Sequence, residues 1–483
     1  MKYIYLGGAG EIGASCLLVK VAGRNILFDC GVRVNQTGDE ALPDLDRLKT
    51  HAPTLDAIFI SHAHADHVGA LPLVHKIYPT TPIYTTTPTA HAATVMLGNA
   101  VNLTLMDALL QKEDVPAFTK EMVLNALNNI LTTDPAHEHL EEWVDIGWGD
   151  NWFFRFIPAG HILGAVSIVL RTPEGTYLYT GDVSAFNQRV VDGIGNKLTD
   201  IKPDFMWCEA TYGDRNHPAR KAEEQKLAKD VEAIIQSGGS VLIPAFALGR
   251  AQEITSILIT AMQSSIIEAF PVMTDGLVNK INKVYEKNIK YASKRFQHWA
   301  QGIKRLFTTF GNRPIHPDER KYVIEMDSPK CVIASSGMLT GGASVDYAKA
   351  WAGIPKNAIF LSGYQDDESP GGHLQALQQN DELTLPDGTS VVVKCQVKQF
   401  YLSAHSDQGQ LIEMIKQTKT KEVALAHGGV NATRTLANKL SKDLPTTITE
   451  NAVLYDTTQT HNSFIIPIHP TVVEKGSNPH LST

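Results

Sequence analysis

The sequence predicts an α/β protein in which a parallel strand–helix unit interrupts a strand-rich one, and three observations carry that reading. Over the first two hundred residues, short apolar runs at 57–60, 153–157, 167–170 and 177–179 alternate with helical stretches such as 103–131. Near Glu209 a second pattern begins, in which strand, turn and helix recur in the order that builds a parallel sheet. From Val391 the chain returns to strands, with residues of chemical interest at their ends.

The opening residues, MKYIYLGGAGEIGASCLLVKVAGRNILFDCG, contain Gly8-Ala9-Gly10-Glu11-Ile12-Gly13 with Asp29 downstream, the outline of a dinucleotide-binding turn and its ribose acid. That motif needs a helix to open at the third glycine, so that its N-terminus can hold a pyrophosphate. Instead 15–21 is short and apolar, 22–25 is turn chemistry and 26–29 is apolar again. The element is a two-stranded hairpin, no nucleotide cofactor is expected, and Asp29 needs another use. Further on, 221–236 is an amphipathic helix ended by Gly238 and Gly239. A buried strand at 241–244 follows, and another helix starts at Gly249-Arg250-Ala251-Gln252-Glu253. Strands at 331–334 and 358–361 repeat the unit, and 474–483 reads as a frayed end.

Composition bounds the function. Hydrophobic residues at 43% and charged residues at 19% describe an ordinary globular chain, and 483 residues are enough for two domains or more. No signal-peptide-like start and no apolar run long enough to span a bilayer is seen, so no membrane partner and a cytoplasmic location are expected. The cysteines, Cys16, Cys30, Cys208, Cys331 and Cys395, are scattered without a C-x-x-C pair and read as small core residues. The net charge of −8 hides an asymmetry: between Gly276 and Lys330 twelve Lys/Arg face five Asp/Glu. Lys280, Lys283, Lys287, Lys290 and Lys294 recur at helical steps, either as a solvated face or as a face for a polyanion.

Chemistry concentrates in Ser61-His62-Ala63-His64-Ala65-Asp66-His67, directly after the strand at 57–60. Imidazoles crowded at one strand end repel unless a cation sits among them. His62 and His64 can serve one metal, while Asp66 and His67, on the next turn, reach a second. His161 and Asp182 stand in matching strand-end contexts, and a carboxylate such as Asp182 is the natural bridge between two cations. Asp29 then orients a ligand histidine.

This set, with its H-x-H-x-D-H core, resembles the metallo-β-lactamase superfamily. Glu209-Ala210-Thr211-Tyr212-Gly213, Ile243-Pro244-Ala245-Phe246-Ala247-Leu248-Gly249-Arg250, Ala334-Ser335-Ser336-Gly337-Met338, Ser362-Gly363-Tyr364-Gln365, Ser403-Ala404-His405-Ser406-Asp407 and His427-Gly428-Gly429 resemble its beta-CASP branch of nucleases. The resemblance runs through nearly the whole chain. It implies an αββα metallo-β-lactamase sandwich (1–212 and 396–483) with an inserted parallel α/β beta-CASP domain (213–395) that roofs the active site. It implies two Zn2+ per chain, one on His62, His64 and His161, the other on Asp66, His67 and His427, with Asp182 bridging. Such N and O donors accept Mn2+ as well.

The resemblance also assigns catalysis to Asp66, Glu209 and His405, with His405 as general acid aimed and kept charged by Glu209. Tyr212, Arg250, Ser335, Ser336 and Gly337 are the expected substrate-binding residues, their turns cradling phosphates. A histidine at 427 favours RNA over DNA, and Ser403-Ala404-His405 is closer to the pre-mRNA 3′-end cleavage subunit and its prokaryotic relatives than to ribonuclease J. The expected activity is hydrolysis of single-stranded RNA, as endonuclease, 5′–3′ exonuclease or both, leaving 5′-phosphate and 3′-hydroxyl. The alternatives are a DNA nuclease of the same family, a small-molecule metallo-hydrolase or a silent subunit, and a homodimer is allowed. Two departures stand out: Gly429 replaces the family's acid, and Asp366, Asp367 and Glu368 precede Gly372 without the arginine expected there.

Overall fold

Strands with one apolar face must bury it against a second layer, and here two seven-stranded sheets do so against each other. The structure, a computed structural model, describes residues 1–111, 119–133, 143–199, 201–301, 306–308 and 313–458. The first sheet runs Leu454–Asp456, Lys2–Gly7, Cys16–Val21, Arg24–Phe28, Ala57–Phe59, Ile83–Thr85, Ile130–Thr132. The second runs Thr446–Ile448, Val423–Ala426, Phe205–Glu209, Gly175–Tyr179, Val166–Thr172, Phe153–Pro158, Val144–Asp145. Tyr3, Phe28, Phe59, Phe154 and Trp207 fill the space between them, with Phe59 edge-on to Phe154 at 5.1 Å. Helices cover the outer faces: Thr87–Gln111 packs beside the first sheet and Val430–Leu440 on the second. This is the αββα sandwich.

The glycine-rich start leads straight into Cys16–Val21, which pairs antiparallel with Arg24–Phe28 through a turn at Ala22 and Gly23, both at positive φ. The hairpin is as the sequence predicts, and no helix opens at Gly13. After Phe205–Glu209 and the helix Arg220–Gln236 comes a six-stranded sheet in which every neighbouring pair is parallel. Its order is Arg313–Pro314, Val272–Asp275, Cys331–Ala334, Val241–Pro244, Ala358–Ser362, Gln396–Phe400. Because Gln396–Phe400 pairs along its length with Ala358–Ser362, we propose that the inserted unit ends after Phe400 rather than after Cys395.

Two sequence expectations are corrected. The helical stretch at 103–131 is the end of the long helix Thr87–Gln111, a second helix Lys120–Asn128, and an edge strand Ile130–Thr132 paired with Ile83–Thr85; residues 112–118 lie outside the described ones. A three-residue apolar run has no period of its own, so its partner strand decides its conformation. The lysine row is not one helix face. The helix Val278–Lys287 stops at Asn288, a 3-10 turn Ile289–Tyr291 follows, and Ser293 caps a new helix Lys294–Ala300 by accepting from Phe296 N at 3.1 Å. Lys280, Lys283 and Lys287 share an exposed face that Lys290 and Lys294 do not continue.

All five cysteines are buried and free. The frayed end at 474–483 lies outside the described residues, among which no helix is long and apolar enough to cross a membrane. The carboxyl ends of the parallel strands face the loop-bearing edge of the sandwich across a cleft of about 740 Å³. That edge of a parallel sheet is where ligands bind in α/β folds.

Candidate metal centre

Each candidate ligand follows directly on a buried strand, and the loops that carry them need glycine or small residues at a few points. His62 and His64 leave Ala57–Phe59, and the short helix Ala65–Val68 carries Asp66 and His67. His161 follows Phe153–Pro158, Asp182 follows Gly175–Tyr179, and His427 follows Val423–Ala426. Gly181, at φ +54, lies where a Cβ would meet the Ser61 side chain at 2.7 Å, so only glycine lets the Asp182 loop approach the histidine loop. His427 itself sits at φ 48, and its N–H donates to Gly8 O at 2.6 Å, which ties it to the glycine turn of the first strand.

The ring orientations follow from what each nitrogen faces. Asp29 can only accept, so Ser61 Oγ donates to it at 2.7 Å and is left to accept from His62 Nδ1 at 3.1 Å. His64 Nε2 donates to Leu248 O at 3.0 Å, and His161 Nδ1 donates to Ala404 O at 3.2 Å. The opposite nitrogens, His62 Nε2, His64 Nδ1 and His161 Nε2, are therefore bare. They converge, with His64 Nδ1 3.1 Å from each of the other two. A tetrahedral cation with nitrogen bonds of about 2.0–2.1 Å holds its donors roughly 3.3 Å apart, so the three fit one metal.

A second group, Asp66, His67 and His427, lies beside the first. His427 Nε2 is 3.3 Å and His67 Nε2 3.7 Å from Asp66 Oδ2. Asp182 divides its carboxylate between the groups. Oδ2 is 3.5 Å from His62 and 3.6 Å from His161, whereas Oδ1 is 3.3 Å from His67 Nε2 and 3.1 Å from His427 Nδ1. His67 Nε2 and Asp182 Oδ1 are both buried without a hydrogen-bond partner. Orphaned buried polar atoms are costly, and a cation among these donors would satisfy them. The donor set, all N and O, suits Zn2+ or Mn2+.

Electrostatics agrees with a site built for positive charge. Burial and the neighbouring imidazoles hold His62 and His161 well below the usual histidine range. Burial alone would raise Asp182, yet His427, His67 and His405 pull it well below the carboxylate range. Burial likewise works against a charged His427, but Asp182 and Asp66 push it up to about 10.

Asp29 is fully buried and accepts four hydrogen bonds: Ser61 N at 2.7 Å, Ser61 Oγ at 2.7 Å, His67 Nδ1 at 2.8 Å and Tyr179 OH at 2.8 Å. It fixes the His67 tautomer so that Nε2 faces Asp66 and Asp182. His405 Nδ1 lies 3.1 and 3.0 Å from the two Glu209 oxygens, and Glu209 is itself held by Val183 N at 2.7 Å. His405 Nε2 points toward Asp182 Oδ2 at 4.0 Å. Burial lowers the His405 pKa, but Glu209 and then Asp182 outweigh it, so the imidazole is held above the usual histidine value.

Of the expected substrate residues, Arg250 and Ser336 line the cleft beside His64, His161 and Asp182. Ser335 turns away, its Oγ accepting from Leu277 N at 3.1 Å. Gly337 packs under Phe246, and Tyr212 stacks edge-on against His217 at 4.5 Å and lies 6.1 Å from His405. Asp366 reaches the cleft but gives one oxygen to Glu368 N at 3.0 Å, which makes it part of its own turn. Gly429 caps the helix Val430–Leu440 in open space, and nothing in the structure explains the missing acid. No sequence signal marks the Leu248 and Ala404 carbonyls, because any residue type supplies one. Ser61 and Tyr179 were within reach as hydroxyls next to a ligand and a strand end.

Comparison with known proteins gives the following. The description "Metallo-beta-lactamase superfamily" matches residues 9–245, "Beta-Casp domain" 251–374, and "Zn-dependent metallo-hydrolase RNA specificity domain" 390–450. The chain is 31% identical over 448 residues to transcription termination factor FttA of Methanothermobacter thermautotrophicus, covering 90% of this chain and 68% of that protein. It is 29% identical over 452 residues to Integrator complex subunit 11 of Danio rerio, covering 92% and 71%. A crystal structure of a protein of unknown function from Enterococcus faecalis V583 shares the fold, with a TM-score of 0.53 at 13% identity over 94% of this chain and 99% of that one.

Proposed function

The chain belongs to the metallo-β-lactamase superfamily, in its beta-CASP branch of hydrolases acting on nucleic acids, and from that premise we propose that it is a dinuclear-zinc ribonuclease of RNA processing or decay. Single-stranded RNA is the substrate, cut to leave a 5′-phosphate and a 3′-hydroxyl. The observation that carries this reading is the convergence of seven side chains from four loops into two adjoining groups that share Asp182. RNA is favoured by the match of 390–450, which contains His405 and His427, to an RNA specificity domain, and by relatives named for transcription termination and for the Integrator complex.

His62, His64 and His161 would hold one cation and Asp66, His67 and His427 the other, with Asp182 between them. Bound there, such a pair supplies Lewis acidity, acidifying water and drawing charge from the phosphoryl oxygens of an in-line displacement. The chain's own residues then manage position and protons. As the P–O3′ bond breaks, His405 gives its Nε2 proton to the leaving oxygen, while Glu209 keeps the ring oriented through Nδ1 and favours its charged form. Asp29 and the Leu248 and Ala404 carbonyls keep the ligand rings from turning.

The test is zinc-loaded protein incubated with end-labelled single-stranded RNA and DNA, beside an Asp66→Ala, His67→Ala double variant. RNA products with 5′-phosphates, made by the wild type and not by the variant, are expected. Cleavage of DNA alone, equal cleavage by the variant, or zinc-loaded protein that cuts neither polymer refutes the reading.

A further inference from the structure

The helix Arg250–Gln263 starts at the cleft, two residues after the Leu248 carbonyl that holds His64. Its first residue, Arg250, lines the cleft yet is only 6% exposed, and its Nη1 is buried with no hydrogen-bond partner. Among the described residues Arg250 has no ion pair. A buried guanidinium without a counter-ion is among the costlier things a fold can hold.

The nearby acids are already committed. Glu253, one turn along, accepts from Val190 N at 2.7 Å on one oxygen, and from Arg189 N at 2.8 Å and Arg220 Nη2 at 3.3 Å on the other. Glu224 is held by Arg189 Nε and Nη2 at 2.9 and 2.7 Å and by Arg220 Nε at 3.2 Å. Burial and the like charge of Arg220 push the Arg250 pKa down to about 10 against the partial support of the Glu253 charge, so the group is still charged at neutral pH. Gly363, at φ +111, brings bare backbone close to the guanidinium, where a Cβ would stand 3.7 Å from Nε. A free guanidinium edge at the positive end of a fourteen-residue helix is a site for an anion with two oxygens to offer.

We propose that Arg250 is a phosphate clamp: its unpaired guanidinium takes the non-bridging oxygens of the RNA phosphate next to the one that is cut, so that the substrate supplies the missing counter-ion. The scissile group is met by the metal ligands and His405, and Arg250, lining the same cleft, takes its neighbour. The assignment rests on the reading of the cleft as an RNA channel.

The experiment compares wild type, Arg250→Met and Arg250→Lys, zinc-loaded, on single-stranded RNA across 50–200 mM KCl, with melting measured with and without inorganic phosphate. Arg250→Met should raise KM about ten- to hundredfold with kcat little changed. Its dependence of log KM on log salt should be shallower by about one. Without phosphate it should melt at or above wild type, because an uncompensated charge is gone. Phosphate should raise the melting temperature of wild type by more than that of Arg250→Met, because both keep the metal ligands and only wild type adds the guanidinium, while Arg250→Lys keeps the salt slope and part of the affinity. An Arg250→Met protein with wild-type KM and slope, or one that melts lower or fails to fold, overturns the clamp and leaves the ribonuclease reading standing. If wild type cuts no RNA, that reading falls, and the phosphate-dependent melting difference alone decides the clamp.

Discussion

Replacing Asp29 by Asn keeps the shape and removes the charge, and the consequences can be worked from four hydrogen bonds. The carboxylate accepts from Ser61 N, Ser61 Oγ, His67 Nδ1 and Tyr179 OH, all at 2.7–2.8 Å. An amide oxygen accepts about two donors, and the amide NH2 would face donors instead of acceptors. Two buried donors are stranded, at about 1–3 kcal/mol each, so a loss of roughly 2–6 kcal/mol in stability is expected. If His67 instead pairs with the amide NH2, its proton must move to Nε2, the nitrogen that faces Asp66 and Asp182. Zinc affinity of the Asp66, His67, His427 group should then fall about 10–100-fold, or roughly 1.4–2.7 kcal/mol, as for other partners of ligand histidines. The assay is zinc per chain after equilibration with a graded chelator, alongside urea unfolding. Asp29→Asn should hold one equivalent normally and release the other early, whereas Tyr179→Phe, which removes a single donor, should keep both. Two equivalents at wild-type affinity in Asp29→Asn would show that the tautomer of His67 is not set by this carboxylate.

His405→Ala should leave zinc content unchanged and lower kcat about 10²–10⁴-fold, measured on the same RNA; full turnover would place the acid elsewhere. Glu209→Gln acts on the pH profile. Turnover requires His405 protonated, so it is full below the raised pKa and falls above it; without the Glu209 charge that pKa drops and the alkaline limb moves to lower pH. A limb at the same pH in both proteins would refute the pairing. Glu11 tests acid stability: burial raises its pKa, but Arg33, at 2.7 and 2.8 Å, and Gly8 N–H pull it below its ordinary 4.5. A depressed folded pKa stabilises above the unfolded value and is lost as pH falls through the lower one. The urea-midpoint gap between wild type and Glu11→Gln should therefore be constant above about pH 5.5 and close below 4.5.

What the sequence made legible is the chemistry held in local runs. The crowded histidines, the strand-end acids and the hairpin that replaces a nucleotide-binding helix are all short-range patterns, and the structure keeps each of them. What it concealed depends on contacts between distant segments. Ile130–Thr132 becomes a strand because Ile83–Thr85 has an open edge. The lysine row breaks because Asn288 turns its side chain to His91, 197 positions away and 3.1 Å distant, and to the last turn of its own helix. The family resemblance marks Arg250 as a substrate residue, but that it lacks an ion-pair partner shows only once Glu253 is found committed to the backbone of Arg189 and Val190. Unpaired charge is a property of three-dimensional accounting and leaves no trace in composition.

The carbonyl of Leu248 belongs to the inserted roof, while His64, which it steadies, belongs to the floor. Gape and grip are thus a single mechanical variable, since lifting the roof withdraws the backstop and lets His64 swivel. A bulky folded polymer would have to pry the catalyst out of tune merely to get in. A slack strand threaded edgewise would not, so the wiring of a single imidazole would itself sort substrates by girth.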